Sequence, residues 1–182
     1  MADDARREMV VLIDPEWSPA REGDAPPPEA VLGGWRASAD GDRFEPSPRY
    51  RPTRPDSPTD PADAVLRLVV RGDADGDRLL AVLDDVYLGV AVDEAGAAVI
   101  APSPDEVPSM LVVTAPAHRV RVAAPSWLEM VTLRDLAGVL PDDGVDVLVN
   151  PGAPYSMRVL ASAIKEFVAR PEGAAVDGAD VK

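Results

Sequence analysis

The chain has no cysteine, which removes disulfide staples, thiolate metal sites and a cysteine nucleophile together. That absence suits a reducing compartment. It has a single histidine, His118, so any Ser-His-Asp arrangement would have to pass through that one ring. Aromatic residues make up 4% of the 182, against 46% hydrophobic. The core must therefore be built from Ala, Val and Leu, with few ring faces left to stack on bases or flat cofactors. No apolar run approaches the roughly 20 residues of a membrane-spanning helix. The run at 9–13 stops at Asp14, too short for a signal-peptide core, and Asp84, Asp85, Asp93 and Glu94 bound the longest apolar region. Positive charge is also scarce: 18 Lys and Arg face 32 Asp and Glu, a formal net charge of −14. Such a field repels a phosphate backbone and an anionic bilayer alike, so neither nucleic acid nor membrane insertion is expected. A soluble cytoplasmic protein is.

Proline is plentiful, and its placement organises the chain. Eleven of the twenty prolines precede residue 62, and that third cannot hold long helices. Within it residues 9–13 read as a strand, and 31–37 with 43–45 as a hairpin around Asp40-Gly41-Asp42. Residues 46–61 read as an extended tether of polyproline character. At Asp60-Pro61 an N-cap followed by proline opens regular structure. A helix carries Ala64, Val65, Leu68 and Val69, stops at Gly72, and is followed by a second through Leu79, Leu80, Leu83 and Val86. Strands at 87–93, 98–101 and 110–114 read as an antiparallel meander at the sheet's centre. A strand at 127–132, a helix at 133–140 and a buried strand at 145–149 follow, the last closing at Asn150-Pro151-Gly152. A final helix is expected over 156–169, its stripe made by Met157, Leu160, Ala161, Ile164, Phe167 and Val168. The whole predicts an α+β fold: a mixed or antiparallel sheet with helices on one face over 60–170. A proline-rich segment at 1–59 precedes it, and a disordered tail at 171–182 ends it.

Chemistry-bearing clusters are thin. His118 could look to Ser126 or Ser156 and to Asp146, yet no Gly-x-Ser-x-Gly elbow surrounds either serine, and a surface or helix-end histidine is the expectation. Asp73, Asp75 and Asp77 resemble the opening of a calcium loop, but Arg78 and Asp84 occupy the positions where that loop needs Gly and Glu. A solvated turn with Asp77 near a helix start follows. Arg71-Gly72-Asp73 reads as part of the same turn. Gly33-Gly34 runs into Trp35 and Arg36 rather than into a lysine and a helix, so no phosphate loop forms. Asn150-Pro151-Gly152 reads as a tight turn from the last strand to the last helix. No catalytic, cofactor or metal site is assigned. Trp35, Trp127, Tyr155 and Arg158 are the residue types that anchor protein interfaces; for the two tryptophans the competing reading is core plugs.

The segments Val10-Val11-Leu12-Ile13-Asp14-Pro15-Glu16-Trp17, Gly33-Gly34-Trp35, Pro48-Arg49-Tyr50-Arg51-Pro52 and Asp60-Pro61-Ala62-Asp63-Ala64 together resemble the type VII secretion system-associated proteins of actinobacteria. Leu88-Gly89-Val90-Ala91-Val92-Asp93, Thr114-Ala115-Pro116-Ala117-His118 and Asp146-Val147-Leu148-Val149-Asn150-Pro151-Gly152, with Ser156-Met157-Arg158, extend the likeness, and this half also resembles the SseB N-terminal domain. The resemblance covers most of 9–168 and implies an α+β fold and an accessory place near a secretion locus, without a defined activity or cofactor. A secreted substrate of that system is not implied: Trp-x-Gly is missing, and Tyr50, Tyr87 and Tyr155 are followed four residues on by Arg54, Ala91 and Val159 rather than an acid.

Three functional readings follow, the third of them a structural subunit of a homo-oligomer. The first is a non-enzymatic cytoplasmic adaptor that binds another protein through an apolar patch, with the proline-rich segment wrapped round or docked beside the domain. The second is a small-molecule-binding or hydrolytic domain with His118, Asn150 and Ser156 in one cleft.

Overall fold

The computed structural model describes residues 10–37, 41–54 and 56–170. The expected tail and the first nine residues, like part of the Asp40-Gly41-Asp42 turn, lie outside them. In the proline-rich third, β1 (Val11–Ile13), β2 (Val31–Arg36) and β3 (Arg43–Pro46) pair antiparallel in that order. Gly33 is required by the close approach of β3. A Cβ there would stand 2.3 Å from the Glu45 carbonyl oxygen and 2.5 Å from the Phe44 ring.

The second sheet has the order β7-β4-β6-β8-β9, with β5 beside β6. Its strands are β4 (Leu88–Val92), β5 (Ile100–Pro102), β6 (Pro108–Val113), β7 (Ser126–Val131), β8 (Asp146–Val149) and β9 (Met157–Val159). All named pairs are antiparallel except β6 with β8, which run parallel. The mixed α+β class is therefore what forms. Period-two alternation gives each face its own core. Val90, Val112, Val147 and Val149 point to the face covered by α1 (Pro61–Arg71), α2 (Gly76–Asp84), α3 (Leu133–Val139) and α4 (Ala161–Ala169), where Leu66, Leu83, Leu136 and Ile164 meet them. Ala91, Leu111 and Leu148 point the other way, under Val122, Ala124 and Trp127.

Local chemistry starts and stops the helices. Asp60 accepts from the Asp63 amide at 2.9 Å with Pro61 behind it, and Gly72 ends α1 at φ +80°. Asp75 caps α2 by accepting from Arg78 N at 2.8 Å, and Asp77 stands in that helix's first turn, near the start as expected. Thr132 and Asp135 close a capping box on α3.

Four expectations need correction. The final helix is shorter than 156–169, because Met157–Val159 pairs with β8 as β9 and α4 begins only at Ala161. Asp146 sets that start by accepting from Ala161 N at 2.9 Å. Asn150-Pro151-Gly152 accordingly turns β8 into β9 rather than into a helix, with Asn150 at φ +51°. The meander is interrupted, since β4 pairs directly with β6 while β5 flanks only the start of β6. His118 is buried, in a 3-10 helix over Pro116–Arg121, instead of lying at the surface.

The described residues of 47–60 contain neither helix nor strand, yet this stretch is tied down through Tyr50. Leu32, Phe44 and Tyr50 belong to the same buried cluster as Leu66, Leu83 and Val112. Phe44 also exchanges backbone bonds with Asp85 and Tyr87, at 2.7 and 2.9 Å.

Candidate functional site

Two buried polar networks hold most of the residues that the sequence made conspicuous. In the first, Asp14 is almost fully buried and accepts from Glu16 N at 2.9 Å, Tyr50 OH at 3.0 Å, and Thr53 N and Oγ1 at 3.2 and 2.8 Å. Burial opposes its charge, but these donors outweigh burial and keep the carboxyl below the usual range. Burial and the Asp14 carboxylate together push the Tyr50 phenol well up.

The second network centres on Asp60, which has no exposed surface. Its Oδ2 accepts from Thr59 Oγ1 and Thr114 Oγ1, both at 2.7 Å. Asn150 donates from Nδ2 to Thr114 Oγ1 at 3.0 Å and accepts from Thr114 N at 2.9 Å. Thr59 Oγ1 lies 2.8 Å from His118 Nε2. A threonine hydroxyl has one proton, and with Asp60 ionised Thr59 gives it to the carboxylate. The imidazole must then carry its hydrogen on Nε2, leaving Nδ1 a buried acceptor without a partner among the described residues. Burial and the neighbouring Asp63 raise Asp60 to about 6, whereas burial lowers His118 to about 4 against the pull of Asp63.

The remaining nominal partners of His118 lie elsewhere. Ser156 donates to the Val149 carbonyl at 3.0 Å, Asp146 binds Arg158 and the start of α4, and Ser126 sits on β7 opposite Val92. His118 and Asn150 thus share a network, and Ser156 does not join it. Among the described residues no group of three or more His, Asp or Glu side chains is placed to hold a metal, and no helix is long and apolar enough to cross a membrane.

The four expected anchors are each half-buried and already in contact. Trp35 packs edge-on against Phe44 at 5.0 Å. It also lines a hollow of about 560 Å³ with Val10 and Val11. Trp127 lies under the Arg119 guanidinium at 5.3 Å, and Arg119 in turn pairs with Glu129 at 2.7 Å. Tyr155 lies under Arg67 at 4.8 Å and Arg71 at 5.8 Å. Arg158 is clasped by Asp105 and Asp146, and holds the exposed Asp105 carboxyl down to about 2.

Sequence reasoning missed a groove beside β7. Among the described residues no strand pairs with the outer side of β7, which forms one edge of its sheet. Leu128 is 57% exposed, Met130 39% and Val139 on α3 67%. All three line one groove of about 460 Å³, floored by Val90, Val92, Met110 and Leu136. The register of β7 slips against β4 between Leu88 and Val90, and Met130 stands at φ +60°, so a bulge turns the strand's second half. An amphipathic reading of 127–132 marks the strand but does not reveal which side of it stays open. The opposite edge, β9, is three residues long and carries the clasped Arg158. That is the protection edge strands ordinarily have.

No protein-family model matches this chain, nor does any curated protein or solved structure.

Proposed function

We propose that this chain is a non-enzymatic cytoplasmic accessory protein that holds an extended segment of another protein along β7. The observation that carries the reading is the conjunction of an unpaired strand edge with Leu128, Met130 and Val139 around one apolar groove. Scattered exposed apolar residues need no explanation, but three sharing a groove beside free backbone donors and acceptors fit strand addition. Ser126 to Leu128 offer the regular edge, and the space past the bulge takes an apolar side chain. Glu129 and Asp135 line the groove, and the chain's charge of −14 favours a segment with basic flanks. The engagement of Ser156 and Asp146 away from His118, with Ser126 out on β7, supports a role without turnover. On the resemblance of its motifs to type VII secretion system-associated proteins and to the SseB N-terminal domain, we place the partner among components of that system.

A peptide library displayed against the purified chain tests the groove. Enriched sequences should alternate apolar residues beside basic ones. Their binding should fall about tenfold or more in Leu128→Glu and Val139→Glu, by loss of apolar burial and by the cost of desolvating a carboxylate in an apolar groove. Val120→Glu, at the most exposed apolar residue and outside the groove, should leave binding unchanged. Equal binding by all three variants would sink the groove as the site. For the biological placement, tagged wild-type chain should recover a secretion component from an actinobacterial host and Leu128→Glu should not. Recovery of an unrelated protein, lost in the same variant, would refute the placement and leave the groove standing.

A further inference from the structure

We infer that a cavity between the proline-rich segment and the 3-10 helix is a binding site for a phosphate monoester. The cavity measures about 390 Å³ and shares no lining residue with the β7 groove, so it stands or falls separately from the function proposed above. Arg51, Arg67 and Arg121 line it, with Thr59, Asp63 and His118 among the residues at its wall. Asp63 is the lone carboxylate among the described lining residues, and Arg67 takes it at 2.8 Å.

The other two guanidiniums have no carboxylate partner among the described residues. Arg51 donates to the carbonyls of Pro48 and Tyr50 at 3.2 and 2.8 Å, and Arg121 to that of Ala117 at 3.4 Å. Carbonyls orient a guanidinium without neutralising it. Two unneutralised arginines facing one hollow are unexpected in a chain with 32 acidic residues. Asp60, beneath the wall, already has three donors on its carboxylate and is withdrawn from the cavity by complete burial.

The geometry selects the ligand class. Planar guanidinium forks suit the tetrahedral dianion of a phosphate monoester, which accepts two bonds from each. The volume admits the phosphate and a small body. A base would need a ring face, and Tyr50, the aromatic residue at the wall, is 2% exposed, which argues against a nucleotide.

The test is a titration of the full, isotopically labelled chain at low ionic strength, followed by amide chemical shifts, with O-phosphoserine, glucose 6-phosphate and succinate. Saturable shifts at Thr59, Ala117, His118 and Arg121 with either phosphate ester are expected, and the tighter of the two identifies the source of the phosphate. Arg51→Ala and Arg121→Ala should each weaken binding about tenfold or more, as loss of a charge-assisted hydrogen bond does. Arg121→Lys should fall between, and Arg36→Ala, which is paired with Glu45 outside the cavity, should match wild type. Both arginines are exposed, and the unperturbed remainder of each spectrum reports an intact fold. Succinate binding as tightly as the esters, no saturable shift with any ligand, or unchanged affinity in both alanine variants would each overturn the assignment.

Discussion

Asp60 and His118 hang from one threonine hydroxyl, and burial moves their proton affinities in opposite directions. In an unfolded chain they titrate near 3.8 and 6.5; in the fold they titrate near 6 and 4. Between about pH 4 and 6 the folded state holds the Asp60 proton more tightly than the unfolded state, so the stability Asp60 contributes falls as pH rises through that window. The folded state holds the His118 proton less tightly, so its contribution rises from about pH 4 to 6.5 and is lost on acidification. The two slopes oppose each other and nearly cancel. Asp60→Asn keeps a competent N-cap and removes one slope. Relative to wild type it should compare worst near pH 4 and gain on the order of 2 kcal/mol by pH 6.5. His118→Gln should run the other way by a similar amount. Denaturant unfolding across pH 4–7 measures both, and two variant curves parallel to wild type would contradict the network.

At the scale of elements, the small sheet depends on one missing side chain. Gly33 faces the Glu45 carbonyl and the Phe44 ring at distances no Cβ tolerates, and neither can yield, because Glu45 is ladder-bonded to β2 and Phe44 is fully buried. Gly33→Ala should cost about 3 kcal/mol or more and splay β2 from β3. Gly76→Ala, in open space at the first turn of α2, should be neutral or mildly stabilising. Thermal melts of the pair discriminate a packing clash from a general intolerance to lost glycine. Legibility at this scale follows the range of the cause. Asp60-Pro61, Thr132 with Asp135, and Gly72 act within one turn, so α1 and α3 were readable to within a residue or so. β9 was not. Its apolar residues at 157 and 160 also fit a helical stripe, and pairing with β8, an event between segments, overrides that periodicity.

At the scale of the molecule, the proline-rich third and the larger α/β portion share one buried cluster, since Leu32, Phe44 and Tyr50 pack with Leu66, Leu83 and Val86. Removing residues 1–59 would uncover that apolar surface and strip Thr59 from His118 and Asp60. The remaining chain should lose cooperative unfolding and dispersed amide signals, whereas the full chain should unfold in one transition. A fragment that melts as sharply as the full chain would show that two units had been mistaken for one. From sequence alone came the α+β class, the starts of α1 and α3 and the strand alternation, because each depends on neighbours a few residues apart. Only tertiary structure joined Asp14 to Tyr50 across 36 residues, His118 to Thr59 across 59 and Thr114 to Asp60 across 54. It also left the outer side of β7 without a strand neighbour among the described residues, and the other edge to a β9 of three residues. Local periodicity has no information about which distant backbone will arrive beside a given strand, so these contacts were decided by packing.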